Sequence, residues 1–313
     1  MNYKTIQKNG FIVIFLITMF YVVVAFLSDF DKLISSFQNI QLIYLPLILV
    51  LVIISIFLKS ERQRFLLRSI SIDISMKDSF IIFNAGQSLL ATPGSVGNVV
   101  KSYLFKEKFR IPFSKTIPVI LVEKYYDMVG IISIIFLFLI FRFDNNLIVP
   151  IITIIAIIIF VTITIRNKEL FLIVTGFLKK IPKINKFAHD IIEANKTISF
   201  LTAKRQFFTG WSISVISWMI DATAVYFCFI SFNLTFDILD TTLIGLTSLI
   251  LGTLSFLPGG IGITEGSMIG LIIKHDVSLS IATALVMYVR LNTIWFSTFL
   301  GFLSTKIILK KNV

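Results

Sequence analysis

The sequence consists mainly of long apolar runs that are separated by short polar segments. Six of these runs have about the 20 residues that a helix needs to cross the hydrocarbon core of a bilayer. They are residues 10–27, 42–58, 117–141, 147–165, 208–231 and 278–303. The pattern predicts an all-α integral membrane protein with about six transmembrane helices.

Two further apolar regions, 79–105 and 241–273, are interrupted by proline and glycine. The first break reads ATPGSVG from residue 91, and the second reads LPGGIG from residue 257. Proline ends a helix and glycine permits a sharp reversal of the backbone, so each region is predicted to form a re-entrant helical hairpin. The predicted hinge residues are Pro93, Gly94, Gly97, Pro258, Gly259, Gly260 and Gly262.

The two breaks resemble each other at an offset of 165 residues. This offset aligns Pro93 with Pro258 and brings the two glycines of each P-G-x-x-G motif into register. The predicted hairpins enter the membrane from opposite faces, which is typical of an inverted repeat. Transporters with such repeats place the substrate site near the bilayer midplane. The repeat divides a single polytopic domain, 1–313, into halves of about 10–141 and 147–305.

Composition and charge support this topology. The chain is 56% hydrophobic and only 15% charged, which excludes a water-soluble protein. Its net charge is nevertheless +12. If the hairpins do not cross the membrane, 24 of the 29 Lys and Arg residues fall on one side and three on the other. The positive-inside rule then places both termini in the cytoplasm of a cell-membrane protein.

The longest polar connection, 166–207, contains nine Lys and Arg residues with apolar residues at helical spacing. This pattern indicates amphipathic helices that lie on the anionic cytoplasmic leaflet. A solvated linker that only fixes the topology is the alternative. A nucleic-acid partner is not expected, because the basic residues come without a recognition motif.

Several ionisable residues fall within the apolar segments, where each costs at least about 2.5–3.5 kcal/mol to insert. Glu123 and Asp127 share one helix face, and Lys124 or Arg290 would supply their cationic partner. The charges are interpreted either as structural ion pairs or as a polar cavity for a lipid headgroup. Asp221 is either a proton site or an interhelical contact. The candidate substrate-binding residues are Lys101, Glu123, Lys124, Asp127, Asp221, Glu265 and Arg290.

Catalysis is the weaker alternative. One cysteine and two histidines give no expected metal site or Ser-His triad, and no nucleotide-binding loop occurs, so no catalytic residue, metal or cofactor is predicted. Asp29 and Asp31 form a D-x-D pair in the first predicted external loop. Some polyprenyl-dependent glycosyltransferases hold a divalent metal with such a pair, so this class remains open.

The hairpin motifs resemble the flippase-like family, also called the lysylphosphatidylglycerol synthase transmembrane region family. The resemblance covers roughly 10–305. Lys101 and Lys124 are lysines where the family usually has arginine, which keeps the charge but not bidentate phosphate binding. The matching residues are Asn84, Pro93, Gly94, Gly97, Lys101, Glu123, Lys124, Asp127, Leu257 to Gly262, Glu265 and Arg290.

The resemblance implies a stand-alone membrane unit without the aminoacyl-transferase domain of the bifunctional synthases. It implies a flippase that moves an anionic or zwitterionic lipid, either a phospholipid or a polyprenyl-linked lipid, across the cytoplasmic membrane. Expected partners are this lipid and a separate glycosyltransferase or aminoacyl-transferase. The alternative is an accessory or scaffold subunit of a lipid- or glycan-modification pathway.

Overall fold

A computed structural model describes residues 30–88, 96–142, 188–255 and 257–310, with scattered positions between 152 and 173. Every regular element in these ranges is helical, so the predicted all-α membrane fold is confirmed. Within the described part of the chain, four helical segments are long and apolar enough to cross a membrane: Leu42–Ser69, Phe113–Phe141, Lys204–Ser231 and Leu279–Ile308. The predicted span 10–27, most of 147–165, and Pro93 and Gly94 lie outside the described residues.

The helices are numbered in chain order. They are α1 (Phe30–Gln38), α2 (Leu45–Ser69), α3 (Met76–Gln87), α4 (Val96–Phe109), α5 (Phe113–Arg142), α6 (Ala188–Leu201), α7 (Lys204–Ser231), α8 (Ile238–Leu254), α9 (Ile263–Ile273), α10 (Leu279–Arg290) and α11 (Phe296–Lys310). Short 3₁₀ turns span Leu42–Tyr44 and Pro258–Gly260. A π-helical turn, Leu291–Trp295, joins α10 to α11.

The chain forms two compact units. The first comprises 1–57, 80–101 and 219–313, and the second comprises 58–79 and 102–218. Each unit contains residues from both predicted halves of the sequence. The division into halves and the role of the connection 166–207 remain predictions.

The first unit has an apolar core to which most of its helices contribute. The lone cysteine, Cys228, lies in this core and is fully buried. Other core residues include Ile48, Val52, Phe83, Phe229, Ile244, Met268, Ile272, Leu285 and Val289. Apolar side chains such as Val50 and Phe299 remain exposed, as expected for helices that face lipid.

Gly301 marks a close approach inside the first unit. A Cβ atom at this position would overlap the backbone of Asn84 and Ser88 at the end of α3. Only glycine therefore allows α11 to pack so closely against α3. This packing fixes the helix end that leads into the first break.

The second unit shows that α2 is longer than the sequence predicted. Residues 59–69 were expected in a cytoplasmic segment, yet they continue the helix. Nothing between these residues breaks a helix, and Leu66 and Leu67 are fully buried. The hydroxyl of Ser79 donates to the carbonyl of Ser60 at 2.8 Å, which ties α3 to this extension. The extension therefore carries charged residues such as Arg62 into the protein interior.

The exposed turn after α2 contains a surface ion pair. Arg68 Nε donates to Asp73 at 2.7 Å, and both side chains are largely exposed. This hydrogen bond holds the pKa of Asp73 below its usual value.

Candidate functional site

The second break has a backbone that glycine favours. Gly259, Gly260 and Gly262 have φ values of 60°, 67° and 87°. These values lie in the left-handed region of backbone conformation, which residues with a Cβ atom rarely adopt. The three predicted hinge glycines therefore allow α8 to end at Leu254 and α9 to begin at Ile263.

Glu265 links this break to α10. Its Oε2 accepts a hydrogen bond from the Gly262 N–H at 2.7 Å, so the carboxylate caps the N-terminus of α9. Its Oε1 accepts from Arg290 Nε, also at 2.7 Å. The side chains of Glu265 and Arg290 are only 1% and 6% exposed. A carboxylate at a helix N-terminus is favoured by the helix dipole as well as by its cationic partner.

Arg290 also contacts the break directly. Its Nη2 donates to the carbonyl oxygen of Gly259 at 2.7 Å. One guanidinium thus bonds both the irregular backbone and the carboxylate that caps the next helix. Broken helices at membrane depth need such partners for their exposed backbone groups. We call Gly259, Gly262, Glu265 and Arg290 the break network.

The arms of the second break pack tightly against each other. A Cβ atom on Gly252 of α8 would overlap the hydroxyl of Thr264 and lie 3.3 Å from the Cα of Gly260. Thr264 is buried at the start of α9. The close approach of α8 and α9 is what a helical hairpin requires. Its re-entrance into the membrane from one face stays a prediction.

Gly252→Ala should lower the free energy of unfolding by about 1–3 kcal/mol, because the added methyl group has no space. Gly266 is a matched control within α9, since nothing lies within 4 Å of a Cβ placed there. Gly266→Ala should leave stability unchanged or raise it by up to about 1 kcal/mol, as alanine favours the helix. Denaturant unfolding in detergent measures both. Equal effects of the two substitutions would contradict the close packing at Gly252.

A second group of charged side chains surrounds Asp127 on α5. Arg62 Nη2 donates to Asp127 Oδ1 at 2.8 Å, and Lys124 Nζ lies 3.6 Å from Oδ2. The indole N–H of Trp218 also donates to Oδ1, at 3.2 Å. Arg62 is only 1% exposed and also donates to the hydroxyl of Ser214. The carboxylate therefore accepts hydrogen bonds from α2 and α7, and it forms a longer ion pair with Lys124 on its own helix.

Lys59 completes this group. Its ammonium lies 3.5 Å from the centroid of the Trp218 ring, a cation–π contact. Gly130 brings the helices together, because a Cβ there would lie 2.8 Å from the Cβ of Ser214. We call this group the Asp127 cluster, and it comprises Lys59, Arg62, Lys124, Asp127, Ser214 and Trp218.

The pairing of Asp127 differs from the expectation in one respect. The sequence offered Lys124 or Arg290 as its cationic partner, but the shortest contact comes from Arg62. Arg290 pairs with Glu265 instead. Arg62 is not among the candidates because the predicted span ends at residue 58, which leaves Arg62 in a polar segment outside the membrane. The helical spacing of Lys59, Arg62 and Leu66 was the signal that could have identified it.

Of the other candidate residues, Lys101 lies on α4, Glu123 on α5 and Asp221 on α7. Lys101 is 4% exposed, with its ammonium 4.8 Å from the centroid of the Phe83 ring. Glu123 is 2% exposed, and Asp221 is half-buried on α7. Asp31 is exposed in the first turn of α1, whereas its predicted companion Asp29 lies outside the described residues. The structure thus joins Glu265 to Arg290 and Lys124 to Asp127.

Comparison with known proteins gives a family match over most of the chain. The family described as Lysylphosphatidylglycerol synthase TM region matches residues 11–301. A UPF0104 membrane protein of Methanocaldococcus jannaschii is 28% identical over 204 residues, which are 64% of this chain and 84% of the relative. A second such protein of that organism is 23% identical over 317 residues, covering 94% of both chains.

A third UPF0104 membrane protein, from Pyrococcus horikoshii, is 32% identical over 117 residues, or 37% of this chain and 35% of the relative. The matched range, 11–301, spans the positions of the break network and the Asp127 cluster. The chain belongs to the lysylphosphatidylglycerol synthase transmembrane region family, and it is a multi-pass membrane protein with a role related to membrane lipids.

Proposed function

We propose that this protein is a flippase that moves an anionic or zwitterionic lipid across the cell membrane. The observation that carries this proposal is the break network, in which a buried Glu265–Arg290 pair lies at a broken apolar helix. Transporters often form substrate sites from discontinuous helices of this kind. The lipid is a phospholipid, the class that the family description names, or a polyprenyl-linked lipid.

The proposal includes a topology. Both breaks form re-entrant hairpins, related as an inverted repeat, and both termini lie in the cytoplasm. The tight packing of α8 against α9 supports a hairpin at the second break. The excess of Lys and Arg in the predicted cytoplasmic segments supports the orientation. Lys101 and Asp221 then lie in apolar segments, and they are proposed to contribute to the substrate pathway.

Reconstitution into liposomes tests the transport step. Vesicles are prepared with fluorescent analogues of phosphatidylglycerol, phosphatidylethanolamine, lysylphosphatidylglycerol and a polyprenyl phosphate, and dithionite reduces the fluorophores of the outer leaflet. We expect purified protein to bring at least one of these lipids within reach of dithionite, whereas protein-free vesicles keep about half of it protected. Continued protection of all four lipids would contradict flippase activity.

The second candidate function is an accessory or scaffold subunit that supports a separate glycosyltransferase or aminoacyl-transferase. The observation that favours it is that Arg290 is bonded within the protein, to Glu265 and Gly259. Such contacts make the charges structural. If the protein is such a subunit, substitutions in the break network should lower the activity of the pathway only as far as they lower the stability of the protein. Loss of lipid movement in a well-folded variant of the break network would favour the flippase.

A further inference from the structure

An apolar groove in the first unit lies between α2 and the π-helical turn that joins α10 to α11. Its volume is about 530 Å³, and its lining includes Leu45 and Leu49 of α2 and Leu291 and Trp295 of the π-helical turn. We propose that this groove binds one acyl chain of a membrane phospholipid, and that the Asn292 amide donates a hydrogen bond to the ester carbonyl of that chain. The site goes beyond the proposed function, because it does not require that the protein moves the lipid.

The mouth of the groove lies on a lipid-facing surface. The lining residues Leu42, Leu291 and Phe299 are between 57% and 62% exposed. They belong to Leu42–Ser69 and Leu279–Ile308, which are both long and apolar enough to cross a membrane. Exposed apolar side chains on such helices contact lipid tails rather than water. A hydrocarbon chain is therefore the occupant that this environment supplies.

The lining and the size of the groove suit a single hydrocarbon chain. Among the described residues that line it, none is charged, and all except Asn292 are aliphatic or aromatic. Ligand sites of this kind have volumes of about 300–1,000 Å³ and a small number of polar groups. A helix of a second copy is about 10–12 Å across with its side chains, so the groove would take only about one turn of it. An acyl chain is narrow enough to lie along the groove.

The π-helical turn gives the groove one of its walls. Leu291, Asn292 and Trp295 line the groove, and all three belong to this turn. A π-helical turn is rare and occurs frequently at functional sites. It follows Arg290 directly, and Arg290 is part of the break network. The same stretch of helix therefore supplies a charged side chain to the break and an apolar wall to the groove.

Asn292 gives the groove a polar contact. Its side chain is 3% exposed, and its Nδ2 donates to the carbonyl oxygen of Tyr288 at 2.9 Å. The amide has a second N–H, which this bond leaves available. The Tyr288 hydroxyl lies near the amide, but it forms no hydrogen bond with any described residue. The polar groups of this region therefore retain hydrogen-bonding capacity for a ligand.

The available N–H of Asn292 favours an acyl ester over a polyprenyl phosphate. An ester carbonyl is a neutral acceptor at the end of an otherwise apolar chain, so it suits a buried N–H. A polyprenyl chain ends instead in a charged phosphate, which is costly to bury without a cation. None of the described residues that line the groove supplies one. A phospholipid acyl chain matches both the apolar wall and the amide.

Trp295 reports directly on the groove, which it lines. Trp211→Phe with Trp218→Phe leaves Trp295 as the only tryptophan, and Trp218→Phe with Trp295→Phe leaves Trp211 as the matched control. Trp211 is also half-buried in an apolar helix, but it belongs to the second unit. Both variants are titrated in detergent micelles with phosphatidylglycerol whose acyl chains are brominated, because bromine quenches tryptophan fluorescence on contact.

We expect half-maximal quenching of Trp295 at a lipid concentration about tenfold lower than that for Trp211, since only Trp295 lies at a binding site. Equal quenching of the two residues at every lipid concentration would show ordinary contact with lipid in the micelle. That result would overturn the proposal.

A substitution that narrows the groove tests its position. Leu49→Phe should weaken the binding of brominated phosphatidylglycerol at Trp295 about tenfold, because the ring takes space that the chain needs. Leu47→Phe is the matched control, since Leu47 lies on the same helix, is 40% exposed and does not line the groove. It should leave binding unchanged. Native mass spectrometry of both variants counts bound phosphatidylglycerol independently of fluorescence. Equal binding to both variants would contradict the groove as the site.

Unbrominated lipids test the contact with Asn292 by competition. Dioleoyl phosphatidylglycerol should restore the Trp295 emission, and its ether-linked analogue should need about three- to tenfold higher concentrations, because it lacks the ester carbonyl. Equal potency of the ester and ether lipids would overturn the hydrogen bond to Asn292. A polyprenyl phosphate as potent as the ester lipid would overturn the choice of an acyl chain.

The liposome assay separates failure of the groove from failure of the proposed function. Saturable quenching of Trp295 without lipid movement would retain the groove and remove the flippase. Lipid movement without binding in the groove would retain the flippase and remove this site.

Discussion

Glu265→Gln should lower the free energy of unfolding by about 3–5 kcal/mol, the usual cost of removing one partner of a buried ion pair. The substitution keeps nearly the same volume but removes the negative charge. Arg290, only 6% exposed, then remains as a buried cation without its carboxylate. The α9 N-terminus also loses the charged cap that Gly262 contacts. Thermal or denaturant unfolding in detergent micelles measures the change.

Two further variants identify the cause of that loss. The double variant Glu265→Gln and Arg290→Gln removes both charges. Its loss in the free energy of unfolding should therefore be smaller than the sum of the losses of the two single variants. Glu107→Gln is the matched control at an exposed position of α4, and it should change the free energy of unfolding by less than about 0.5 kcal/mol. Strict additivity of the two single variants would show that the pair does not couple.

The hydrophobic pattern predicted the helical membrane fold because bilayer crossing requires long apolar helices. It ended the predicted span 42–58 at residue 58, however, whereas the helix α2 continues to Ser69. Apolar runs end where charged residues begin, but a helix continues as long as its backbone bonds are satisfied. Packing of Leu66 and Leu67 inside the second unit keeps the extension helical. Such packing is not encoded in a local window of hydropathy.

The candidate site was predictable in its residues but less so in its pairings. Glu265 and Arg290 stood out because ionisable residues in apolar segments need a reason to be there. Their pairing across 25 residues depends on how α9 packs against α10, which the sequence pattern does not specify. Arg62 was missed altogether, since the short predicted span left it outside the membrane. The error in this one helix boundary is therefore the reason why the main partner of Asp127 was not predicted.

Asp127→Asn should also lower the free energy of unfolding by about 3–5 kcal/mol, because it leaves the buried guanidinium of Arg62 without a counter-charge. The chain contains a matched control in the surface pair of Arg68 and Asp73. Asp73→Asn also breaks an Asp–Arg pair, but both of its side chains are in contact with solvent. It should leave stability nearly unchanged. Denaturant unfolding of both variants compares the same chemistry at buried and exposed positions.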